Sequence, residues 1–206
     1  MLLYVILNDL RGKNVTVYEL LNPQKEYSKG KKAFIFDMDG TLIDSMQYWW
    51  RLTGEDFSKY SSHTDYMIEK YNTVIEPKKH ALEFLTLLRE NGIPLCIATD
   101  TPKQMSEGFF KRHPYFSDLV DFHIDSIDAG DSKHNSAKIY ELAAEKLGFK
   151  KEECLVVEDN RHAVIMAANA GFDVIAVFDE ANAGNAEIIK EHCIDYINDF
   201  SELMRK

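Results

Sequence analysis

Short, unbroken apolar runs recur along the chain, and each stops abruptly at polar residues. Residues 33–36 run into Asp37, residues 94–98 into Thr99, residues 154–157 into Glu158, and residues 174–178 into Asp179. Runs of four or five apolar residues without alternation predict strands buried on both faces, as in a parallel sheet. Between them the apolar positions recur at helical spacing. Residues 78–90 place Leu82, Leu85 and Leu88 on one face, with Gly92 just past the end. Residues 136–147 turn Ile139, Leu142, Ala143 and Leu147 inward and stop at Gly148. Further helices are predicted to about Arg112, closed by Pro114, and over 163–170 and 185–192. Weaker strand patterns cover 121–125 and 195–197. Strands alternating with helices predict an α/β fold, a Rossmann-like parallel sheet with right-handed crossovers. In such sheets ligands sit beyond the carboxyl ends of the strands, so Asp37/Asp39, Thr99/Asp100 and Glu158/Asp159, which follow three of these runs, share one crevice.

Two segments depart from this rhythm. Residues 1–30 carry two β-rich runs, 2–7 and 15–21, around turn residues 8–14, which predicts an N-terminal β-hairpin extension. Residues 22–32, with a Pro, a Gly and several lysines, read as a linker. Residues 45–77 interrupt the alternation with two expected helices, 46–60 and 63–71. The expected organisation is therefore an extension over 1–30, a core domain over 31–44 and 78–206, and a small insert over 45–77.

The chemistry gathers at the strand ends. In Phe36-Asp37-Met38-Asp39-Gly40-Thr41, the alternation of a strand turns Asp37 and Asp39 to the same side and Met38 away, while Gly40 permits a sharp turn. Two adjacent acids repel, and a divalent cation or a division of roles relieves that. Asp37 can act as a nucleophile, and Asp39 can protonate a leaving oxygen and later deprotonate water. A polar turn is the plainer alternative. Thr99 can bind a phosphoryl oxygen or cap the helix beginning near Pro102. Lys133 can screen clustered negative charge or stay solvated. Glu158 and Asp159 are hard oxygen ligands suited to Mg²⁺, or acids that complement a helix dipole.

The string FDMDGTLIDS resembles the first signature of the haloacid dehalogenase (HAD) superfamily. Thr99 within IATDT, the acidic pair within VVEDN, and ANAGF resemble its later motifs in the right order. The lysine motif matches least. Lys133 stands without the usual prolines, with Lys138 as a rival, and Asn160 replaces a common Ser. The resemblance is to subfamily I, the phosphatase and β-phosphoglucomutase-like branch, and covers residues 33 to about 199. It implies that Asp37 is the nucleophile and Asp39 the acid/base. It also implies Mg²⁺ on Asp37, the Asp39 carbonyl and Glu158 or Asp159. Thr99, Lys133 and backbone N–H groups near Met38 and Asp100 would hold the phosphoryl oxygens. The insert over 45–77 becomes a small helical cap after the first motif, with Tyr48, Trp49, Trp50 and Arg51 as candidates for facing substrate or for anchoring the cap.

Charge and composition narrow this further. The formal net charge of −10 argues against nucleic-acid or anionic-membrane partners and leaves a small phosphorylated substrate. No apolar run is long enough to span a bilayer, and the short apolar start lacks the flanks of a signal peptide. Three scattered cysteines, of which Cys96 and Cys154 lie in apolar runs, give no disulfide framework and suit a cytoplasmic setting. The expected function is Mg²⁺-dependent hydrolysis of a small phosphomonoester through an aspartyl-phosphate. A phosphomutase is the alternative, and a non-catalytic binding protein is disfavoured by the intact acidic pair.

Overall fold

The computed structural model describes residues 15–50 and 59–205. Within them lies a six-stranded sheet, order β3-β2-β1-β4-β5-β6. The strands are β1 (Ala33–Phe36), β2 (Leu95–Thr99), β3 (Phe122–Asp125), β4 (Cys154–Glu158), β5 (Asp173–Val177) and β6 (Asp195–Ile197). Every pairing is parallel, and Phe34 of β1 stands opposite both Leu95 and Leu155. The α/β, Rossmann-like fold expected from the alternation is the one observed.

The two-residue period of the strands sorts the interior into two layers. Phe34, Phe36, Leu95, Ile97, Leu155 and Val157 enter one cluster; Ala33, Ile35, Cys96, Ala98, Cys154 and Val156 enter the other. Aromatic packing closes the first face. Phe84 meets Phe34 edge-on at 5.5 Å and stacks with Phe200 at 5.5 Å. The second face is covered by small and branched residues such as Ala143, Val164 and Ile189. Among the described residues no helix is long and apolar enough to cross a membrane.

In chain order the α-helices are α1 (Val17–Leu20), α2 (Met46–Trp50), α3 (His63–Thr73), α4 (Ala81–Glu90), α5 (Lys103–Arg112), α6 (Pro114–Leu119), α7 (Ser126–Ala129), α8 (Lys138–Leu147), α9 (Arg161–Asn169) and α10 (Ala186–His192). Two of these correct expectations. The run 15–21, expected as the second strand of a hairpin, forms α1, because Thr16 and Glu19 close a capping box that satisfies the first amides of a helix. The run 2–7 lies outside the described residues. Pro114, expected as a stop, opens α6, where its fixed φ and missing N–H cost nothing. The linker is tied down as well: Asn22 N–H donates to the Leu203 carbonyl at 2.8 Å, and Lys25 and Tyr27 both reach Asp195 of the edge strand β6 at 2.6 Å.

The insert leaves and rejoins the core side by side. Ile43 bridges antiparallel to Pro77, with Asp44 N–H on the Glu76 carbonyl and Lys78 N–H on the Leu42 carbonyl. Its helix α3 does not stand off the core. Tyr66, Met67 and Tyr71 are buried in the same cluster as Phe36 and Phe84. At Gly108 of α5, an added Cβ would lie 1.9 Å from the Asn72 side chain and 2.9 Å from its Cα, so the two helices approach at a point where only glycine fits. Arg112 then donates to the carbonyls of Tyr71 and Ile75 at 3.2 and 3.0 Å.

Candidate active site

The carboxyl ends of β1, β2 and β4 open into a cavity of about 310 Å³. Its lining includes Asp37, Asp39, Thr99, Lys133, Glu158 and Asp159. The crevice expected from the strand order alone thus brings the predicted residues together. Asp37 extends the β1–β4 ladder through its N–H to the Val157 carbonyl, at 2.9 Å. Gly40 follows at φ +83°. A Cβ there would fall 2.4 Å from an Asp159 carboxylate oxygen, so the position needs glycine both for its turn and for this close approach.

Lys133 joins the two ends of the site. Its ammonium donates to Asp37 Oδ1 and, at 2.6 Å, to Glu158 Oε1, with all three side chains buried. Burial works against the ammonium charge, but Asp37 and Glu158 outweigh it and hold the group well above its ordinary pKa. Burial, then the Glu158 charge, push the carboxyl of Asp37 up despite Lys133. The same two causes raise Asp159. Oxygens of Asp37, Glu158 and Asp159 lie within 4.8 Å of one another. Three buried carboxylates therefore face one ammonium, an excess of negative charge on hard oxygens that suits a divalent cation.

The acids differ in how they are satisfied. Glu158 Oε1 also accepts from the Tyr140 hydroxyl at 2.6 Å, and Oε2 from the backbone N–H groups of Asp159 and Asn160 at 3.1 and 3.3 Å. Asp159 accepts from Thr41 at 3.2 Å and Asn182 at 2.8 Å, one donor on each oxygen. Asp39 accepts from Ser45, Trp49 and Tyr71 on Oδ1 and from Thr101 on Oδ2. Burial and the neighbouring Asp39 charge raise the pKa of the Tyr71 hydroxyl, so it stays a donor.

Other predicted residues lie in supporting places. Thr99 is buried at the end of β2, and its hydroxyl accepts from Thr101 N–H at 3.2 Å. Asp100 directs its carboxylate to Ser132 Oγ at 2.8 Å and Lys133 N–H at 3.0 Å, shaping the loop that presents the lysine. Met38 points into the core, leaving only its backbone for the site. Trp49 lines the cavity and, like Tyr48, packs against the core cluster. Arg51 lies outside the described residues. The rival Lys138 is exposed and reaches Asp131. Tyr71, Thr101, Tyr140 and Asn182 join the site without having been candidates by sequence. Each is an ordinary helix or loop residue until the fold turns it to the site; only Thr101, two residues after Thr99, carried a local signal.

Comparison with known proteins agrees with this geometry. A family model described as haloacid dehalogenase-like hydrolase matches residues 46–171, a span that begins just after the Asp37–Ser45 stretch. No curated protein matches the chain. Solved structures of the same fold include a HAD family hydrolase from Deinococcus radiodurans R1 with bound phosphate and sodium, at 17% identity and TM-score 0.67 over 84% of this chain and 93% of that one. A mutant of CbbY from Rhodobacter sphaeroides in complex with xylulose-(1,5)bisphosphate matches at 18% identity and TM-score 0.67, over 85% and 97%. A Thermotoga maritima protein assigned as a beta-phosphoglucomutase matches at 20% identity and TM-score 0.65, over 80% and 93%. With the family model spanning more than half its length and the acidic crevice at the end of the central strand, the chain belongs to the haloacid dehalogenase-like hydrolases and is an enzyme of that family.

Proposed function

We propose that the protein hydrolyses a small phosphomonoester by way of an aspartyl-phosphate on Asp37. The observation that carries this reading is the buried Lys133 ammonium shared between Asp37 and Glu158 in the lining of the cavity, with a second, differently held acid, Asp39, two residues after Asp37. A carboxylate oxygen of Asp37 attacks phosphorus in line, and the bond to the ester oxygen breaks. Asp39 gives its proton to the departing oxygen. Asp39 then takes a proton from water, the water oxygen attacks the acyl phosphate, and phosphate leaves with the Asp37 carboxylate restored. Lys133 and Thr99 hold the phosphoryl oxygens, with backbone N–H groups near Met38 and Asp100.

Mg²⁺ fits the acidic cluster, where it would neutralise charge on the phosphoryl group. Asp37, the Asp39 carbonyl and Asp159 would hold it. Asp159 is favoured over Glu158 because Glu158 already accepts four donors and Asp159 two. The bisphosphate seen in CbbY supports a small phosphorylated metabolite as substrate.

A panel of phosphomonoesters assayed with Mg²⁺ tests this reading. Asp37→Asn should reduce phosphate release by at least about 10³-fold, and no release from any ester by the wild type would overturn it. The assigned beta-phosphoglucomutase among the structural neighbours favours a mutase as the second reading. A sugar phosphate separates the two, giving free phosphate from one and an isomer from the other.

A further inference from the structure

The chain treats the two acids after β1 in different ways. Asp37 meets a cation, while Asp39 meets neutral donors, and most of those come from the insert. Ser45 Oγ lies 2.6 Å from Asp39 Oδ1, the Tyr71 hydroxyl 2.5 Å, and the Trp49 indole N–H 3.5 Å. Thr101, from the loop after β2, donates to Oδ2 at 2.7 Å. A carboxylate oxygen offers about two lone pairs. Three donors therefore exhaust Oδ1 and fix the plane of the carboxyl group. Among the described residues Oδ2 has one donor and keeps acceptor capacity for a proton.

The donors are themselves held firmly. Tyr71 and Ser45 are fully buried. The residue after Tyr71 is Asn72, which sits against Gly108 of α5, and the Tyr71 carbonyl accepts from Arg112. A group whose supporting contacts are locked in this way holds its reactive atom to a narrow range of positions.

We infer that Tyr71, with Ser45 and Trp49, is a positioning residue that orients Asp39 so that its Oδ2 exchanges the proton with the leaving group and with water. The inference rests on the phosphoester reading above and assigns the insert a part in proton transfer beyond walling the cavity. A hydroxyl that merely satisfied a buried acceptor would support folding and leave the chemistry indifferent to the leaving group.

The test compares two esters in single turnover with Mg²⁺. The phenolate of p-nitrophenyl phosphate departs without a proton, whereas the alkoxide of ethyl phosphate needs one. Tyr71→Phe keeps the buried ring. It should lower the ethyl-to-nitrophenyl rate ratio by about ten-fold or more, with little change in KM for either ester. Ser45→Ala, which removes a second Oδ1 donor, should shift the ratio in the same direction and serves if Tyr71→Phe does not fold. An unchanged ratio in a folded variant, with both rates lowered equally or neither lowered, overturns the positioning role alone. Wild-type protein that cleaves neither of these nor any other ester of the panel sinks the phosphoester reading and this inference together.

Discussion

Glu158 and Asp159 are neighbours in sequence with unequal freedom. Four donors hold Glu158, including Lys133 and Tyr140, while Asp159 has one on each oxygen. Asp159→Asn should therefore raise the Mg²⁺ concentration for half-activation by about ten-fold or more. Glu158→Gln should chiefly slow turnover by loosening Lys133, a contrast that metal titration of activity resolves. Lys133→Met leaves three buried carboxylates with no ammonium. In thermal unfolding at neutral pH it should cost about 3 kcal/mol, and added Mg²⁺ should recover part of the loss. How legible these residues were depends on distance along the chain. Asp37, Asp39, Glu158 and Asp159 could be read because a buried strand runs straight into them. Tyr140 could not, since it is an inward position of an amphipathic helix, where apolar packing already accounts for an aromatic residue.

Among the elements, the contact of α3 with α5 decides how the insert behaves. Gly108→Val would drive a branched side chain into Asn72, backbone included. It should destabilise the protein by about 3 kcal/mol or more in urea unfolding, and it should slow ester cleavage by displacing Tyr71. The first half of that contact was foreseeable, because Tyr66, Met67 and Tyr71 share one face of a helix. Its partner was not: a glycine inside a helix reads only as a weak helix former until another helix is placed over it. The misread α1 has a different cause. Val15, Val17 and Leu20 fit a strand by composition, yet the Thr16–Glu19 pair is local and satisfies helical amides that a strand would have left to a partner. Asp125 and Asp128 close a similar box over α7.

For the molecule as a whole, the parallel α/β order and the position of the crevice were written in the alternation of apolar runs. The docking of residues 15–30 against the far edge of the sheet was not, because it depends on contacts with residues about 170 positions away, such as Lys25 with Asp195. Stability should depend on pH through the opposite edge. Burial and the Lys103 charge lower the pKa of His123 on β3 to about 4, and its Nε2 is buried without a partner among the described residues. An imidazole kept neutral in the fold takes up a proton on unfolding, near pH 6.5. Its contribution to stability is whole above that pH and is lost as pH falls toward 4. His123→Phe should make the decline in Tm between pH 7 and 4 shallower than in the wild type.

The place of β1 in the sheet bears on how the enzyme fails. With a hydrogen-bonded strand on either side, its amides should exchange with deuterium last, only when the whole domain opens, while those of β3 and β6 exchange earlier. Asp37 is therefore anchored in the last part of the molecule to come apart. In rising urea, Asp37 should keep its place until global unfolding, and the acyl-phosphate formation proposed above should persist with it.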